Sequence, residues 1–143
     1  MRSNREESGV ISVKLKKGDQ FTERFVIDDE IYDGFISIFK DRNPMHTDKK
    51  YAVDKGFEGF IMHGNILNGF ISYFIGEKLP IKNVIIHKQS IKYKKPVYKN
   101  EELTFKAYVS DVFDSVNAVE FKFTFMKKDG TKVAVGKIQI GVI

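Results

Sequence analysis

Cysteine is absent from this chain of 143 residues. Its absence excludes a thiol nucleophile, a disulfide framework and a metal site built from thiolates. The chain has three histidines, and no two of them have the spacing of a zinc site, so we expect no bound metal. A glycine-rich phosphate loop and the serine motif of α/β-hydrolases are also missing. We therefore expect a protein that works without a metal or a resident cofactor.

Long apolar runs are missing as well. The uncharged segment 63–76 has about 14 residues, whereas a helix that spans a bilayer needs roughly 20. The first residues contain no apolar run of the kind found in signal peptides. We expect a cytoplasmic protein that does not bind membranes.

The chain has the length of one ordinary domain. We therefore predict a single domain over residues 1–143, with a disordered polar tail at residues 1–8. The net charge of +5 favours anionic partners in general. No RRM, KH or zinc-finger pattern is present, so we expect no nucleic-acid partner. Several lysines between 88 and 99 could meet phosphate groups or an acidic carrier protein, or could form a solvated strand face.

Hydrophobic periodicity predicts the architecture. The uncharged segment 63–76 is apolar over so much of its circumference that we expect a helix buried on most sides. Apolar and polar residues alternate in 103–109, 119–125 and 138–142, which predicts strands with one buried face. Asp129-Gly130, between two such strands, indicates a hairpin. We predict an α+β fold in which an antiparallel sheet curls round one apolar helix.

The N-terminal half is predicted to begin with a strand at 20–27. Asp28 can cap the helix that follows. Thr47 or Asp48 can cap a second, shorter helix, and Gly56 suits its end.

Between those two helices lies Asp41-Arg-Asn-Pro-Met-His46. Pro44 lacks an amide hydrogen and favours extended backbone at the residue before it, so we predict a shaped loop rather than a helix. A carboxylate and an imidazole on one rigid loop can form an acid/base pair, and imidazole exchanges protons near neutral pH. Taken singly, Asp41 could equally cap a turn and His46 could be a surface residue.

These segments together resemble a known family. The pattern Asp-x-Asn-Pro-x-His-x-Asp at 41–48, followed by Tyr51-Ala52 and then His63-Gly64 at the start of an apolar helix, resembles the MaoC-like (R)-specific enoyl-CoA hydratases and (3R)-hydroxyacyl dehydratases over roughly residues 20–143. The resemblance implies a hot-dog fold and a homodimer or higher even oligomer. It also implies reversible addition of water to a trans-2-enoyl thioester, giving the (3R)-hydroxyacyl thioester. Coenzyme A or the phosphopantetheine of an acyl carrier protein would carry the acyl group.

The resemblance also implies roles for single residues. Asp41 and His46 correspond to the catalytic pair, and Gly64 to the glycine whose amide forms the oxyanion hole. We assign substrate contacts to four further residues: Asn43, His63, Asn65 and Ser72.

Several of these residues have a structural alternative. Gly64 could serve only close packing, and Asn43 could orient the loop. His63 could bond backbone at the helix start, and Ser72 could bond the carbonyl of Asn68.

The chain departs from the family pattern near the site. Phe39-Lys40 replaces the usual Ser-Gly before the catalytic aspartate, which could alter the turn that aims Asp41. Asn65 replaces a common methionine, and Phe60 a common proline. Two other functions therefore stay open: a hot-dog acyl-CoA thioesterase, and an acyl-CoA-binding subunit without activity.

Overall fold

The computed structural model describes residues 14–143. The tail that was predicted to be disordered, residues 1–8, lies outside this range. Within it, no helix is long and apolar enough to cross a membrane.

Five strands form one antiparallel sheet. They are β1 (Gln20–Val26), β2 (Val84–Tyr93), β3 (Glu102–Phe113), β4 (Ala118–Lys127) and β5 (Lys132–Val142). Their order across the sheet is β1-β3-β4-β5-β2. Strands β3, β4 and β5 form the predicted meander, and the Asp129-Gly130 turn joins β4 to β5, with Gly130 at a φ of 88°.

The alternating sequence pattern is confirmed in the burial of β3 and β4. Phe105 pairs with Phe125, Ala107 with Phe123, and Val109 with Phe121; all six are buried on the same face. The polar residues between them face outward. One apolar face therefore lies ready to pack on a helix, as period-two alternation requires.

Four α-helices of the described range lie between β1 and β2. They are α1 (Asp29–Phe39), α2 (Pro44–Thr47), α3 (Lys49–Asp54) and α4 (Ile66–Tyr73), and α4 continues as a π-helical turn over Phe74–Lys78. Asp28 caps α1 through its Oδ1, which accepts from the Ile31 amide at 3.0 Å. Asp48 caps α3 in the same way, with 3.1 Å to the Tyr51 amide.

Helix α4 packs on the inner face of the sheet. Ile66, Leu67 and Ile71 are buried, as are Phe74 and Ile75 in the π-helical turn. The prediction that the helix is buried on most sides is only partly right, because Gly69, Ser72 and Tyr73 are exposed along one side.

The prediction of a loop through His46 is also wrong in part. Residues Asp41–Asn43 are irregular, but Pro44 opens the short helix α2 at its first turn. The missing amide hydrogen of proline costs nothing at that position, since a first-turn amide has no partner inside the helix. Pro44 therefore starts a helix where it was expected to prevent one.

Strand β2 lies at the edge of the sheet and is solvent-exposed except at Val84 and Ile91. Among residues 14–143, β2 pairs with β5 alone, and Gly136 of β5 lies directly against it. A Cβ built on Gly136 would collide with the carbonyl oxygen of Ser90 and the ring of Phe123. The glycine is thus what allows β2 and β5 to pair at this point.

We expect Gly136→Ala to lower the free energy of unfolding by about 1–3 kcal/mol, the usual cost of overfilling a packed site. Denaturant unfolding measures this. Gly59→Ala is the matched control, because a Cβ there meets no atom within 4 Å. Equal stability of both variants would contradict the packing described here.

Candidate active site

The irregular segment before α2 holds Asp41 by local hydrogen bonds. The Asn43 amide donates to Asp41 Oδ1 at 3.1 Å. The Asn43 side chain caps α2 by accepting from the Met45 amide at 2.9 Å. Asn43 is therefore engaged in shaping the loop.

His46 lies on α2, and its ring is fixed by a backbone group. Nδ1 is 2.8 Å from the carbonyl oxygen of Ile61. Because a carbonyl only accepts, Nδ1 carries the hydrogen of the neutral ring, and Nε2 keeps a free lone pair. The opposite edge of the imidazole is thus left as a proton acceptor.

Tyr32 strengthens this arrangement from α1. Its hydroxyl lies 2.6 Å from the carbonyl oxygen of His46 and 2.9 Å from that of Ile61. Burial raises the pKa of Tyr32, and the negative charge of Asp33 adds to the effect. The hydroxyl therefore stays a donor, and it joins α1, α2 and the strand-like residue Ile61.

Asp41 and His46 face one another. Asp41 Oδ2 is 4.0 Å from His46 Nε2, which is too far for a direct hydrogen bond. Two acceptors at this separation can be bridged by a single water with arms of about 2.8 Å. The loop thus brings the predicted pair together, with a gap between them.

His63 is buried and packs against His46. Only 2% of its surface is exposed. Its Nε2 donates to the backbone carbonyl of Asp41 at 2.9 Å, and its ring stacks on His46 at 3.9 Å between centroids. Among residues 14–143, Nδ1 has no hydrogen-bond partner. Burial lowers the pKa of His63, while the bond to Asp41 opposes that shift.

The segment after His63 presents backbone donors. The amides of Gly64 and Asn65 precede α4, and the described residues offer them no acceptor. They lie at the helix end where the dipole favours negative charge. The ring of Tyr93 covers Gly64 so closely that a Cβ would come within 2.9 Å of it. Both the packing and the donor explanation for this glycine are thus consistent with its surroundings.

A cavity of about 510 Å³ gathers these groups. Asp41, His46, His63, Gly64 and Asn65 all line it. Lys94 and Lys95 lie on its wall and are exposed. Lys99, by contrast, is bound to Asp29 at 2.8 Å and to Asp33 at 3.8 Å.

A second, larger groove of about 1140 Å³ runs between α1 and α4 and shares Phe35, Asp41 and Asn65 with the first. Asn65 accepts from the Asn68 side chain at 2.8 Å, and Asn68 in turn accepts from Gln89 at 2.7 Å. Ser72 and Asn43 line neither space. Of the four predicted substrate contacts, only His63 and Asn65 therefore lie in the lining of the described spaces.

Sequence reasoning missed Tyr32, Ile61 and Tyr93. Their roles depend on contacts with residues at least 14 positions away, and no short motif marks them. Asp41, His46 and His63 also offer ligand atoms within 4.8 Å of one another. His46 Nδ1 and His63 Nε2 are already bound to carbonyls, and the expectation of no metal stays a prediction.

Lys40 forms the turn for which the family pattern usually has glycine. It caps α1 in the left-handed conformation, at φ 66° and ψ 12°, with its amide bound to the carbonyl of Ile36 at 2.8 Å. This is the conformation that glycine adopts most readily at a helix end. The chain therefore makes the turn with a lysine, at a local cost in stability.

The chain is similar to known proteins in sequence and in fold. A family model described as MaoC like domain matches residues 20–128. A curated (R)-specific enoyl-CoA hydratase from Aeromonas caviae is 36% identical over 76 residues, 53% of this chain and 57% of the relative. One from Rhodospirillum rubrum is 33% identical over 90 residues, 63% of this chain and 62% of the relative. The chain thus spans less than two thirds of either relative.

The fold agrees with a solved structure. R-hydratase PhaJ1 from Pseudomonas aeruginosa, in its unliganded form, superposes with a TM-score of 0.82 at 25% identity, over 91% of this chain and 83% of that one. The predicted hot-dog fold and the family resemblance are confirmed.

We expect Lys40→Gly to raise the free energy of unfolding by about 0.5–1 kcal/mol. The left-handed conformation costs an L-residue about 1–2 kcal/mol, and glycine avoids this cost. Part of the gain, about 0.5–1 kcal/mol, is offset because glycine loses more backbone freedom on folding. Denaturant unfolding again gives the value. Lys40→Ala removes the charge but keeps the Cβ, so an equal gain for alanine would contradict the backbone explanation.

Stability should also depend on pH through His63. Its folded pKa lies below the ordinary value of 6.5, so the unfolded chain binds more protons as the pH falls past that value. The contribution of His63 is therefore complete above pH 6.5 and is lost on acidification toward the lowered pKa. We expect the Tm to fall from pH 7 to pH 5 more steeply for the natural protein than for His63→Gln. His87→Gln, at an exposed position, should keep the natural slope; equal slopes for all three proteins would contradict the assignment.

Proposed function

Because the chain belongs to the MaoC-like domain family, we propose that it catalyses the reversible hydration of trans-2-enoyl thioesters to (3R)-hydroxyacyl thioesters. The observation that carries this proposal is the 4.0 Å gap between Asp41 Oδ2 and His46 Nε2, beside the free amides of Gly64 and Asn65. A hydration needs a held water, a proton route and a donor for developing negative charge. These groups supply all three in one cavity.

In this mechanism a water donates one hydrogen bond to Asp41 and the other to His46 Nε2. As the water oxygen bonds to Cβ, Nε2 takes its proton, and the electron pair of the double bond moves to form an enolate. The proton on Nε2 then passes to Cα, which restores the thioester and the neutral imidazole. Asp41 orients the water throughout. Both new bonds form on the same face of the substrate, since one water and one imidazole serve both.

The enolate oxygen accepts from the Gly64 amide, with Asn65 beside it. A preorganised backbone donor of this kind is worth roughly 10²–10³-fold in rate. The start of α4 adds favourable dipole at the same point. The missing side chain of Gly64 makes room for the Tyr93 ring, which packs directly against the glycine.

The carrier of the acyl group is coenzyme A or the phosphopantetheine of an acyl carrier protein. Both bear phosphate, and Lys94 and Lys95 on the cavity wall supply positive charge for it. No further cofactor is needed in this mechanism.

We also propose a homodimer that forms through β2. This edge strand exposes Ile85, Ile86 and Tyr93, with 45%, 38% and 48% of each accessible. An open edge with apolar side chains invites pairing with another strand. A cytoplasmic location stays a prediction.

The proposal is tested by mixing the protein with trans-2-enoyl-CoA and following enoyl absorbance and free thiol in parallel. Loss of absorbance without thiol release, and a product of (3R) configuration, are the expected results. Thiol release would indicate a thioesterase. Binding with neither signal would indicate a subunit without activity.

Asp41→Asn and His46→Ala should each lower kcat by roughly 10²–10⁴-fold, since each removes half of the arrangement that holds and deprotonates water. Steady-state kinetics on folded variants measures this. The matched controls are Asp48→Asn, which preserves the cap of α3 because asparagine caps equally well, and His87→Ala, at an exposed position on β2. Natural turnover in either catalytic-pair variant would refute the mechanism.

A further inference from the structure

The larger groove is open to solvent and lined mainly by apolar side chains, with Glu23, Arg24 and Glu30 also in its lining. Helix α1 contributes Phe35, Ile38 and Phe39, α4 contributes Phe70 and Tyr73, and β1 contributes Phe25. Phe25 and Phe70 stack at 4.0 Å with their rings 9° apart, which makes a flat floor. Ile38 is 71% and Phe39 66% exposed. Apolar surface gathered in this way indicates an apolar occupant.

Two glycines face this groove from opposite helices. Gly34 lies inside α1 and Gly69 inside α4, and both line the space. Neither has a positive φ, and a Cβ on either would meet no atom within 4 Å. Close packing and backbone conformation therefore do not require glycine at these positions.

Glycine inside a helix is nonetheless destabilising relative to alanine, because it loses more freedom on folding. Two such positions, facing one space, weaken both helices without any gain in packing. What the missing side chains do provide is room, since any larger residue would extend into the groove.

The groove is continuous with the catalytic cavity. Phe35, Asp41 and Asn65 line both spaces, so an acyl chain whose thioester lies beside Asp41 can enter the groove directly. The volume of about 1140 Å³ is at the upper end for ligand sites, which usually measure about 300–1,000 Å³. A four-carbon acyl group would leave most of it unfilled.

We propose that this groove is the acyl-chain site, that it favours chains of about eight to twelve carbons, and that Gly34 and Gly69 set this preference by keeping it open. The inference rests on the proposed hydratase function. Each methylene buried along Phe25, Phe70 and the α1 wall should raise kcat/KM about three- to fourfold until the groove is full.

The test measures kcat/KM on trans-2-enoyl-CoA of four, eight and twelve carbons for the natural protein, Gly34→Leu, Gly69→Leu and Gly76→Leu. Gly76 is the matched control, because it lies on the same continuous helix as Gly69, lines neither space and has no atom within 4 Å of an added Cβ. Gly34→Leu and Gly69→Leu should lose about tenfold or more on twelve carbons, the equivalent of roughly two lost methylene contacts. On four carbons they should stay within about twofold of the natural protein. Gly76→Leu should match the natural protein on all three.

Folding is checked separately with Gly34→Ala and Gly69→Ala. Each should raise the Tm by roughly 2–5 °C, because alanine favours the helix and meets no atom. A fall in Tm would show that the glycines serve packing and would overturn the proposal.

Two kinetic outcomes would also overturn it. One is natural activity that does not rise with chain length. The other is an equal loss by the leucine variants at every length; a change of oligomeric state beside that loss would identify the groove as a subunit contact.

If the natural protein is inert on every chain, the proposed function fails, and the groove is still tested by binding of dodecyl-CoA, an unreactive thioether. Weaker binding by Gly34→Leu and Gly69→Leu than by Gly76→Leu then supports the acyl site. Equal binding overturns it.

Discussion

The backbone of Ile61 is the point on which the site depends. Its carbonyl accepts from His46 Nδ1 at 2.8 Å and lies 2.9 Å from the Tyr32 hydroxyl, while its amide donates to the carbonyl of Met45 at 2.9 Å. Ile61 also bridges to Tyr98, which anchors this hub beside the strands. The backbone of this one residue thus fixes the imidazole tautomer, the position of α2 and the attachment of α1. Without that carbonyl, either ring nitrogen of His46 could carry the hydrogen, and the nitrogen that faces Asp41 would no longer be fixed as a proton acceptor.

Local stability is given up at several positions round this hub. Lys40 adopts a left-handed backbone, and His63 buries a ring nitrogen without a partner among residues 14–143. Gly34 and Gly69 lie inside two helices, which glycine weakens relative to alanine. Each would be simple to improve for folding alone. Features of this kind collect at functional sites, where geometry or open space is worth more than stability. These positions lie together, from the C-terminal cap of α1 through His46 and His63 to the larger groove. Their clustering supports this region as the functional site.

Much of the fold follows from the sequence because it rests on short-range physics. Alternation in β3 and β4 marks the buried face, and Asp28 and Asp48 mark helix starts by the chemistry of their side chains. The motif from Asp41 to His46 marked the candidate pair. The predicted loop at Pro44 was wrong because Asn43 caps a helix that starts there. The effect of Lys40 on the turn was left open, and the structure shows that the turn is kept, with the Lys40 amide bound to the carbonyl of Ile36. The contacts of His46 with Ile61 and of His63 with Asp41 span 15 and 22 positions. No local pattern encodes them, so the orientation of the pair and its stacking could only come from the structure.

In the proposed mechanism one water, held between Asp41 and His46 on a single side of the substrate, supplies both the hydroxyl and the proton. Hydration of a trans-2-enoyl-CoA in D₂O, followed by determination of the configuration at both carbons, is the decisive measurement. We expect a (3R) product in which deuterium at Cα and the hydroxyl at Cβ have been added to the same face. Addition to opposite faces, or a (3S) product, would contradict it.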